Sequence, residues 1–195
     1  MVVKCWSVAI FWLIGLTSFV LHAKPKLIEE VKPYTIDVKQ VESYLLALPD
    51  KATSVESDSL FHGGAKWKVK WNYQTQERKS RCRIKKVKVK VKVVYHLPEL
   101  SSQLENSMSQ GIWQQYYQAL YKHEQAHKDI VMQTASDIEQ AIKSVGSRKS
   151  CEELYTVANE AANQLMIDYQ TNHQNFDIES DFGRKQGVSF HDYAK

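Results

Sequence analysis

One long helical face is the feature that most constrains how this 195-residue chain can fold. Between residues 112 and 145, apolar side chains recur every three or four positions, which is the spacing of one face of an α-helix. The pattern predicts a helix that runs to Val145, with Gly146 just past its end. The predicted face consists of Ile112, Tyr116, Leu120, His123, His127, Ile130, Val131, Thr134, Ile138, Ala141 and Val145.

Two histidines of this face belong to an H-E-x-x-H pattern, His123-Glu124-Gln125-Ala126-His127. Side chains four positions apart lie on the same side of a helix, so both imidazoles can reach one metal ion. In zinc proteins with this pattern, Zn²⁺ lowers the pKa of a water and the glutamate takes its proton, while a third ligand comes from elsewhere. We therefore predict Zn²⁺ at His123 and His127 with Glu124 as the general base. The alternative is a pair of half-buried core histidines that hydrogen-bond to neighbours.

Two stretches before this helix alternate between apolar and polar side chains, as half-buried strands do. In residues 67–73 the tryptophans share one face with a valine and a tyrosine, and in residues 81–95 valines alternate with lysines. The apolar positions change parity near Lys85 and Lys86, which predicts a β-bulge. The polar residues 74–80 are predicted to form the turn. Together the two stretches predict an antiparallel pair with one face in water.

The lysines of these strands allow a second interpretation, which is binding to nucleic acid or to an anionic surface. Lysines on the solvent face of an antiparallel sheet are common, however, and they discourage aggregation at sheet edges. No aromatic residues are interleaved among them to stack on bases. Without residues 1–23 the net charge is only +3, from 25 Lys and Arg against 22 Asp and Glu. We therefore predict no nucleic-acid partner.

The first 23 residues have the pattern of a secretory signal peptide. Lys4 precedes an unbroken apolar run over residues 8–20, and the segment ends with the small residue Ala23. A retained N-terminal anchor is the alternative, since the run is only a few residues short of spanning length. Cleavage would leave residues 24–195 as one domain without a membrane span, located in the periplasm or secreted.

The cysteine count agrees with export. Cleavage would remove Cys5 and leave Cys82 and Cys151, and two cysteines in an oxidising compartment most simply form one disulfide. Two buried free thiols are the alternative. Zinc ligation by these cysteines is disfavoured, because neither belongs to a C-x-x-C pair.

The segments on either side of the strands and the long helix are predicted to be regular as well. The pattern predicts a short strand at residues 34–38 and a short helix at 41–48. Ser102 has the spacing of a capping box with Glu105, which predicts a helix start there, and Gly111 either interrupts this helix or precedes the main one.

A second amphipathic helix is predicted from Ser150, in an antiparallel hairpin with the first, and an ordered tail follows at residues 176–187. The fold class is therefore α+β: a small antiparallel sheet, the long H-E-x-x-H helix, a second helix and the tail. The third metal ligand would come from the second helix or the tail. Its candidates are Asp177, Glu179, Asp181, His173, His191 and Glu160.

The chain resembles the bacterial domain of unknown function 922 family, described as predicted secreted zinc-dependent proteases. The resemblance implies zinc at His123 and His127 and covers most of residues 24–195. In the tail, Phe182 stands where many relatives carry histidine. The matching pieces are residues 63–73, Cys82, Leu97-Pro98, Trp113, the H-E-x-x-H pattern, Cys151, Phe176-Asp177, Gly183 and Gln186-Gly187.

Phe182 bears on both the third ligand and the function. If relatives use the tail histidine as a ligand, this chain needs another group, and we take Asp177. The expected function is a secreted or periplasmic zinc peptidase that hydrolyses an amide bond of a peptide or protein, with a tyrosine or Arg184 as a helper at the oxyanion. The rival is a catalytically silent metal-binding or structural protein of the cell envelope, which Phe182 favours.

Overall fold

The structure, a computed structural model, describes residues 24–46 and 62–193. The predicted signal segment and the polar residues 51–59 lie outside these ranges. Two short 3-10 helices, Arg184–Gln186 and Phe190–Asp192, follow the last α-helix. The preceding elements are β1 (Lys26–Val31), β2 (Tyr34–Ile36), α1 (Val38–Leu46), β3 (Gly64–Arg78), β4 (Arg81–His96), β5 (Pro98–Leu100), α2 (Ser107–Ser144) and α3 (Cys151–Ser180).

The sheet at the centre of the fold has the strand order β1-β4-β3. β3 and β4 form the predicted antiparallel pair, whereas β1 lies parallel to β4 along its other edge. The α+β class is confirmed, and the sheet is mixed instead of purely antiparallel. Sequence analysis does not predict β1 because its sequence, KLIEEV, has no strict alternation. Its strand conformation depends on the backbone hydrogen-bonding groups that β4 offers.

The turn between β3 and β4 is shorter than predicted. Residues 74–80 do not form a polar turn, because β3 continues to Arg78 and the turn consists of Lys79 and Ser80. Both turn residues have positive φ, at 49° and 55°. This is the backbone of a two-residue type I′ turn, whose twist fits a hairpin. The polar residues stay in the strand because their backbone groups pair with β4 while their side chains lie in water.

The predicted β-bulge is confirmed in β4. Gln74 pairs with Lys86 and Thr75 pairs with Ile84, so Lys85 is the extra residue. An extra residue reverses the side-chain parity of a strand, and Cys82 therefore points inward like the valines from Val87 to Val93. The helices cover this apolar face, and the lysines on the opposite face are exposed.

A second, two-stranded sheet pairs β2 with β5 in parallel. The predicted strand at residues 34–38 is present but shorter, because Asp37 caps the N-terminus of α1. The Asp37 side chain accepts a hydrogen bond from the Lys39 amide at 2.9 Å, as a helix N-cap does. The helix predicted at residues 41–48 therefore begins earlier, at Val38.

α2 is 38 residues long and is capped by Asn106, whose side chain accepts hydrogen bonds from the Met108 and Ser109 amides. The predicted start at Ser102 is therefore wrong, and Gly111 lies inside the helix without interrupting it. At the other end α2 stops one residue earlier than predicted. Gly146 follows with φ of +74°, the left-handed conformation that glycine tolerates past a helix end.

α3 begins where predicted, because the Ser150 hydroxyl accepts a hydrogen bond from the Glu153 amide at 3.1 Å. It continues to Ser180, so the first residues of the predicted tail are helical and Asp177 lies in the last turn. α2 and α3 form the predicted antiparallel hairpin. Neither of them, nor any other helix in the described ranges, is long and apolar enough to cross a membrane.

The predicted disulfide between Cys82 and Cys151 is present and joins β4 to the first turn of α3. Beside it, the backbones of Cys82 and Arg148 exchange two hydrogen bonds of 2.9 and 2.8 Å. The loop between α2 and α3 is thus attached to the sheet both covalently and through backbone pairing. These links fix the height of α3 along α2, and with it the position of Asp177.

Candidate metal centre

Two helices supply the candidate metal centre. His123, Glu124 and His127 lie on the buried face of α2 and are only 3–5% exposed. The antiparallel course of the hairpin brings the last turn of α3 beside the middle of α2. Asp177 therefore lies opposite the two histidines, with its side chain about a quarter exposed (24%).

Three side-chain atoms of these helices converge. Nε2 of His127 lies 3.2 Å from Nε2 of His123 and 2.9 Å from Oδ1 of Asp177. Nε2 of His123 lies 3.4 Å from the same carboxylate oxygen. We call these three residues the His-His-Asp cluster. It offers two nitrogens and one carboxylate oxygen to a single point, and its donor atoms are close enough together to hold one metal ion.

The chain after α3 turns back and fixes the ring of His123. Oε1 of Gln186 lies 2.8 Å from Nδ1 of His123 and accepts a hydrogen bond from the N–H of that nitrogen. Nε2 then keeps its lone pair directed toward the cluster. The turn requires Gly183, whose φ is +84° and where an added Cβ would lie 2.7 Å from Cγ2 of Val188 and 3.1 Å from Cγ of His123. Glycine alone allows the backbone to pass so close.

Glu124 is buried beside the cluster, and its surroundings bring the pKa of its carboxyl close to neutral pH. Burial and, second to it, the negative charge of Asp177 together raise the pKa of Glu124 to about 7. The backbone amide of Ala65, at the start of β3, opposes this shift by donating a hydrogen bond to the carboxylate. A general base is most effective when its pKa lies near the working pH. Glu124 is therefore suited to accept and release a proton.

Aromatic rings pack around His127 and His173. The Trp67 ring from β3 lies 4.2 Å from the His173 ring, and the Phe176 ring lies 4.8 Å from the His127 ring, between centroids. Burial lowers the pKa of both histidines, although the charge of Asp177 opposes the shift. Both imidazoles are thus neutral at pH 7, which is the form that binds metal ions.

A cavity of about 520 Å³ opens over the cluster. One wall is apolar and includes Leu120, Val188 and Phe182, whose ring is 67% exposed at the rim. Arg184, the suggested oxyanion helper, also lines the cavity, 3.9 Å from the Asp181 carboxylate. That ion pair is exposed and therefore weak. The cavity combines a polar floor with an apolar wall, as small-molecule and peptide sites do.

The candidates for the third ligand are separated by the fold. Asp177 joins the cluster. His173 also lines the cavity, with its ring 4.1 Å from the His127 ring between centroids, but its Nε2 lies 3.9 Å from the other carboxylate oxygen of Asp177. Asp181 lies at the cavity wall. The remaining candidates do not line the cavity; they are Glu160, Glu179 and His191.

Three contributions to this site are not predicted from the sequence. Gln186 holds the His123 ring, the Ala65 amide holds Glu124, and Trp67 packs on His173. The sequence did contain a signal for Gln186, since Gln186-Gly187 belongs to the tail pattern that the chain shares with the family it resembles. A backbone amide carries no sequence signal, and the alternation at Trp67 predicts only that its ring points inward.

The fold and the site define an α+β protein with a His-His-Asp cluster between two helices. The long helix α2 supplies both histidines and the buried glutamate, and α3 supplies the aspartate. The family model described as a bacterial protein of unknown function (DUF922) matches residues 31–183, and the chain belongs to this family. The matched range contains all four residues of the centre and ends at Gly183, before Gln186. No curated protein and no solved structure matches the chain.

Proposed function

We propose that this protein is a zinc-dependent peptidase. The observation that carries the proposal is the convergence of two imidazole nitrogens and one carboxylate oxygen, beside a buried glutamate and inside an open cavity. This is the arrangement of catalytic zinc sites, which use three protein ligands and leave one position open. The substrate would be a peptide or protein whose scissile amide lies over the cluster.

The spacing of the three donor atoms fits zinc. Zinc bonds of about 2.0–2.1 Å in a tetrahedral site place neighbouring ligand atoms about 3.3 Å apart. In the His-His-Asp cluster the three separations are 3.2, 2.9 and 3.4 Å. The hydrogen bond from His123 to Gln186 also leaves the correct ring nitrogen unprotonated for a metal.

The chain's own residues would divide the remaining work. Bound zinc would supply a lowered pKa for a water in its open position and polarisation of the substrate carbonyl. Glu124 would accept the proton of the attacking water and pass it to the leaving amine. The Ala65 amide would hold the Glu124 carboxylate in place, and the apolar wall would exclude bulk water and receive a substrate side chain.

The alternative function is a catalytically silent metal-binding or structural protein. Phe182 favoured it because this residue stands where many relatives carry histidine. The Phe182 ring lies at the exposed rim of the cavity, whereas Asp177 is within 2.9 Å of His127. Asp177 thus supports a complete ligand set without a histidine at position 182. A silent protein would bind zinc through the same cluster and hydrolyse nothing, so metal binding alone does not distinguish the two proposals.

The proposed location is the periplasm or the cell exterior. The Cys82–Cys151 disulfide supports it, since structural disulfides persist in oxidising compartments and are rare in the cytosol. The apolar run over residues 8–20 supports it independently as an export signal.

Removal and return of the metal tests the proposed activity. We expect the purified chain to hold close to one zinc per molecule and to cleave a mixture of fluorescence-quenched peptides. Dialysis against a chelator should abolish cleavage, because Glu124 alone does not activate water sufficiently, and one equivalent of zinc should restore it while magnesium should not. Metal content by mass spectrometry and cleavage rates are the measurements. Cleavage by protein freed of all zinc would contradict the proposal.

Gln186 is expected to tune zinc affinity through His123. Gln186→Leu removes the acceptor for the Nδ1 proton and should weaken zinc binding by about 10–100-fold, the usual effect of losing such a partner. Gln186→Glu restores an acceptor oxygen and should recover most of the affinity. Competition against a chromogenic chelator gives both values. Equal affinity in Gln186→Leu and the wild type would show that the hydrogen bond does not orient the ring.

A further inference from the structure

The face of the sheet that points away from the helices carries a dense array of lysines. They come from all three strands of the sheet and are exposed. Glu30 is the one acidic residue on this face of the three strands in the described residues. We call this surface the lysine face, and it consists of Lys26, Lys66, Lys68, Lys70, Lys86, Lys88, Lys90 and Lys92.

The strand register sets these lysines directly against one another. Lys90 pairs with Lys70 on one side and with Lys26 on the other, so three ammonium groups form a row across the sheet. Lys92 pairs with Lys68 in the next row. Like charges directly opposite each other destabilise a sheet. Protection of a sheet edge needs only a few charges on the edge strand, and it does not account for lysines on the central strand β4.

The charge of the protein is concentrated on this face. Eight lysines and Glu30 give the face a net charge of +7, whereas the whole chain carries +4, so the rest of the chain carries −3. Glu30 lies 2.7 Å from Lys92 and 3.4 Å from Lys32, and thus neutralises little of the array. Such a distribution of charge favours contact with an extended anionic partner.

The chemistry of the face favours a membrane surface over other anionic partners. The eight cations of the lysine face act as hydrated point charges, whereas an arginine would grip a phosphate with two hydrogen bonds. The arginines of β3 and β4 lie only at the hairpin end of the two strands, where Arg83 donates a hydrogen bond to Gln76. The aromatic residues of β3 point to the opposite side of the sheet, so none is available to stack on bases. Because the lysines belong to three paired strands, they form one continuous exposed surface that can contact many headgroups at once.

We infer that the lysine face docks the protein onto a membrane surface of anionic phospholipid. Each lysine near such a surface contributes to binding, and the sum over several lysines gives salt-sensitive attachment. α2 and α3 pack on the other side of the sheet, so the cavity stays accessible while the lysine face is engaged. The inference does not depend on metal binding or on peptidase activity.

The test compares two charge-reversal variants of the full chain. Lys88→Glu/Lys90→Glu changes the lysine face, and Lys39→Glu/Lys122→Glu makes the same change in net charge on exposed lysines of α1 and α2. Binding to vesicles of phosphatidylcholine with 30% phosphatidylglycerol is measured by flotation, with pure phosphatidylcholine vesicles correcting for attachment through the apolar N-terminal run.

We expect the phosphatidylglycerol-dependent binding to fall at least about 30-fold in Lys88→Glu/Lys90→Glu, from the loss of two lysine contributions. It should fall far less in the control variant and should weaken with added salt in the wild type. Lys90→Glu relieves the repulsion from Lys26 and Lys70, so the melting temperature should not decrease. Equal losses in both variants, or no preference for phosphatidylglycerol, would overturn the inference. Tighter binding to a short DNA duplex than to the vesicles at equal salt would also overturn it.

Discussion

Replacement of Glu124 by glutamine is expected to abolish peptide hydrolysis while zinc remains bound. Glutamine has the same shape and keeps an oxygen to accept the Ala65 amide proton, but it does not take a proton from water. Loss of a general base of this kind lowers kcat by about 10²–10⁴-fold. The ligand atoms of the cluster are unchanged, so zinc affinity should stay close to that of the wild type.

Glu160→Gln is the matched control for this variant. Glu160 lies on α3, is exposed and does not line the cavity. It should retain full activity and full zinc content, which separates the effect of the removed base from the effect of a changed charge. The measurements are kcat on one quenched peptide and zinc per molecule. Activity of Glu124→Gln within a few-fold of the wild type would remove Glu124 from the mechanism.

Loss of a cluster residue is expected to remove zinc itself. His123→Ala, His127→Ala and Asp177→Ala each delete one of three converging donor atoms. Zinc affinity should fall by more than the about 10–100-fold that follows loss of a ligand's hydrogen-bond partner. The purified variants should therefore contain little zinc. Titration with a competing chelator gives the affinity, and mass spectrometry gives the content.

His173→Ala is the informative comparison for the third ligand. His173 lies one helical turn from Asp177 and packs on Trp67. Its Nε2 is 3.9 Å from Oδ2 of Asp177, the carboxylate oxygen that does not face the two cluster histidines. Zinc should therefore be retained in His173→Ala and lost in Asp177→Ala. The opposite result would transfer the ligand role to His173. Asp177→Asn keeps the side-chain volume, and circular dichroism of each variant checks that α3 still folds.

Features of the fold that depend on neighbours along the chain could be predicted from the sequence. The helical period placed His123 and His127 on the buried face of α2, and α2 does bury both. The change of parity in β4 predicted the bulge at Lys85, and Ser150 predicted the start of α3. Side-chain direction in a helix or a strand follows from spacing alone, so these features need no knowledge of the rest of the molecule.

Predictions of element ends were less successful where a distant partner decides the outcome. The polar residues before Arg78 resemble a loop, yet β4 gives their backbone groups partners and keeps them in β3. In the same way α3 continues into the predicted tail and ends at Ser180, because its last turns pack beside α2. Local composition does not report such partners, which is why β1 escapes prediction as well.

The third ligand shows most clearly where sequence reasoning ends. The H-E-x-x-H pattern by itself determined two candidate ligands and a base, because side chains four positions apart on one helix have a fixed geometry. For the third metal ligand, the sequence offered six candidate residues after this helix, all with suitable side-chain chemistry. Only the tertiary structure separated them: the disulfide and the hairpin fix the height of α3 against α2, and Gly183 turns the chain back to His123. Proximity between distant residues depends on how the helices pack, and no local spacing encodes it.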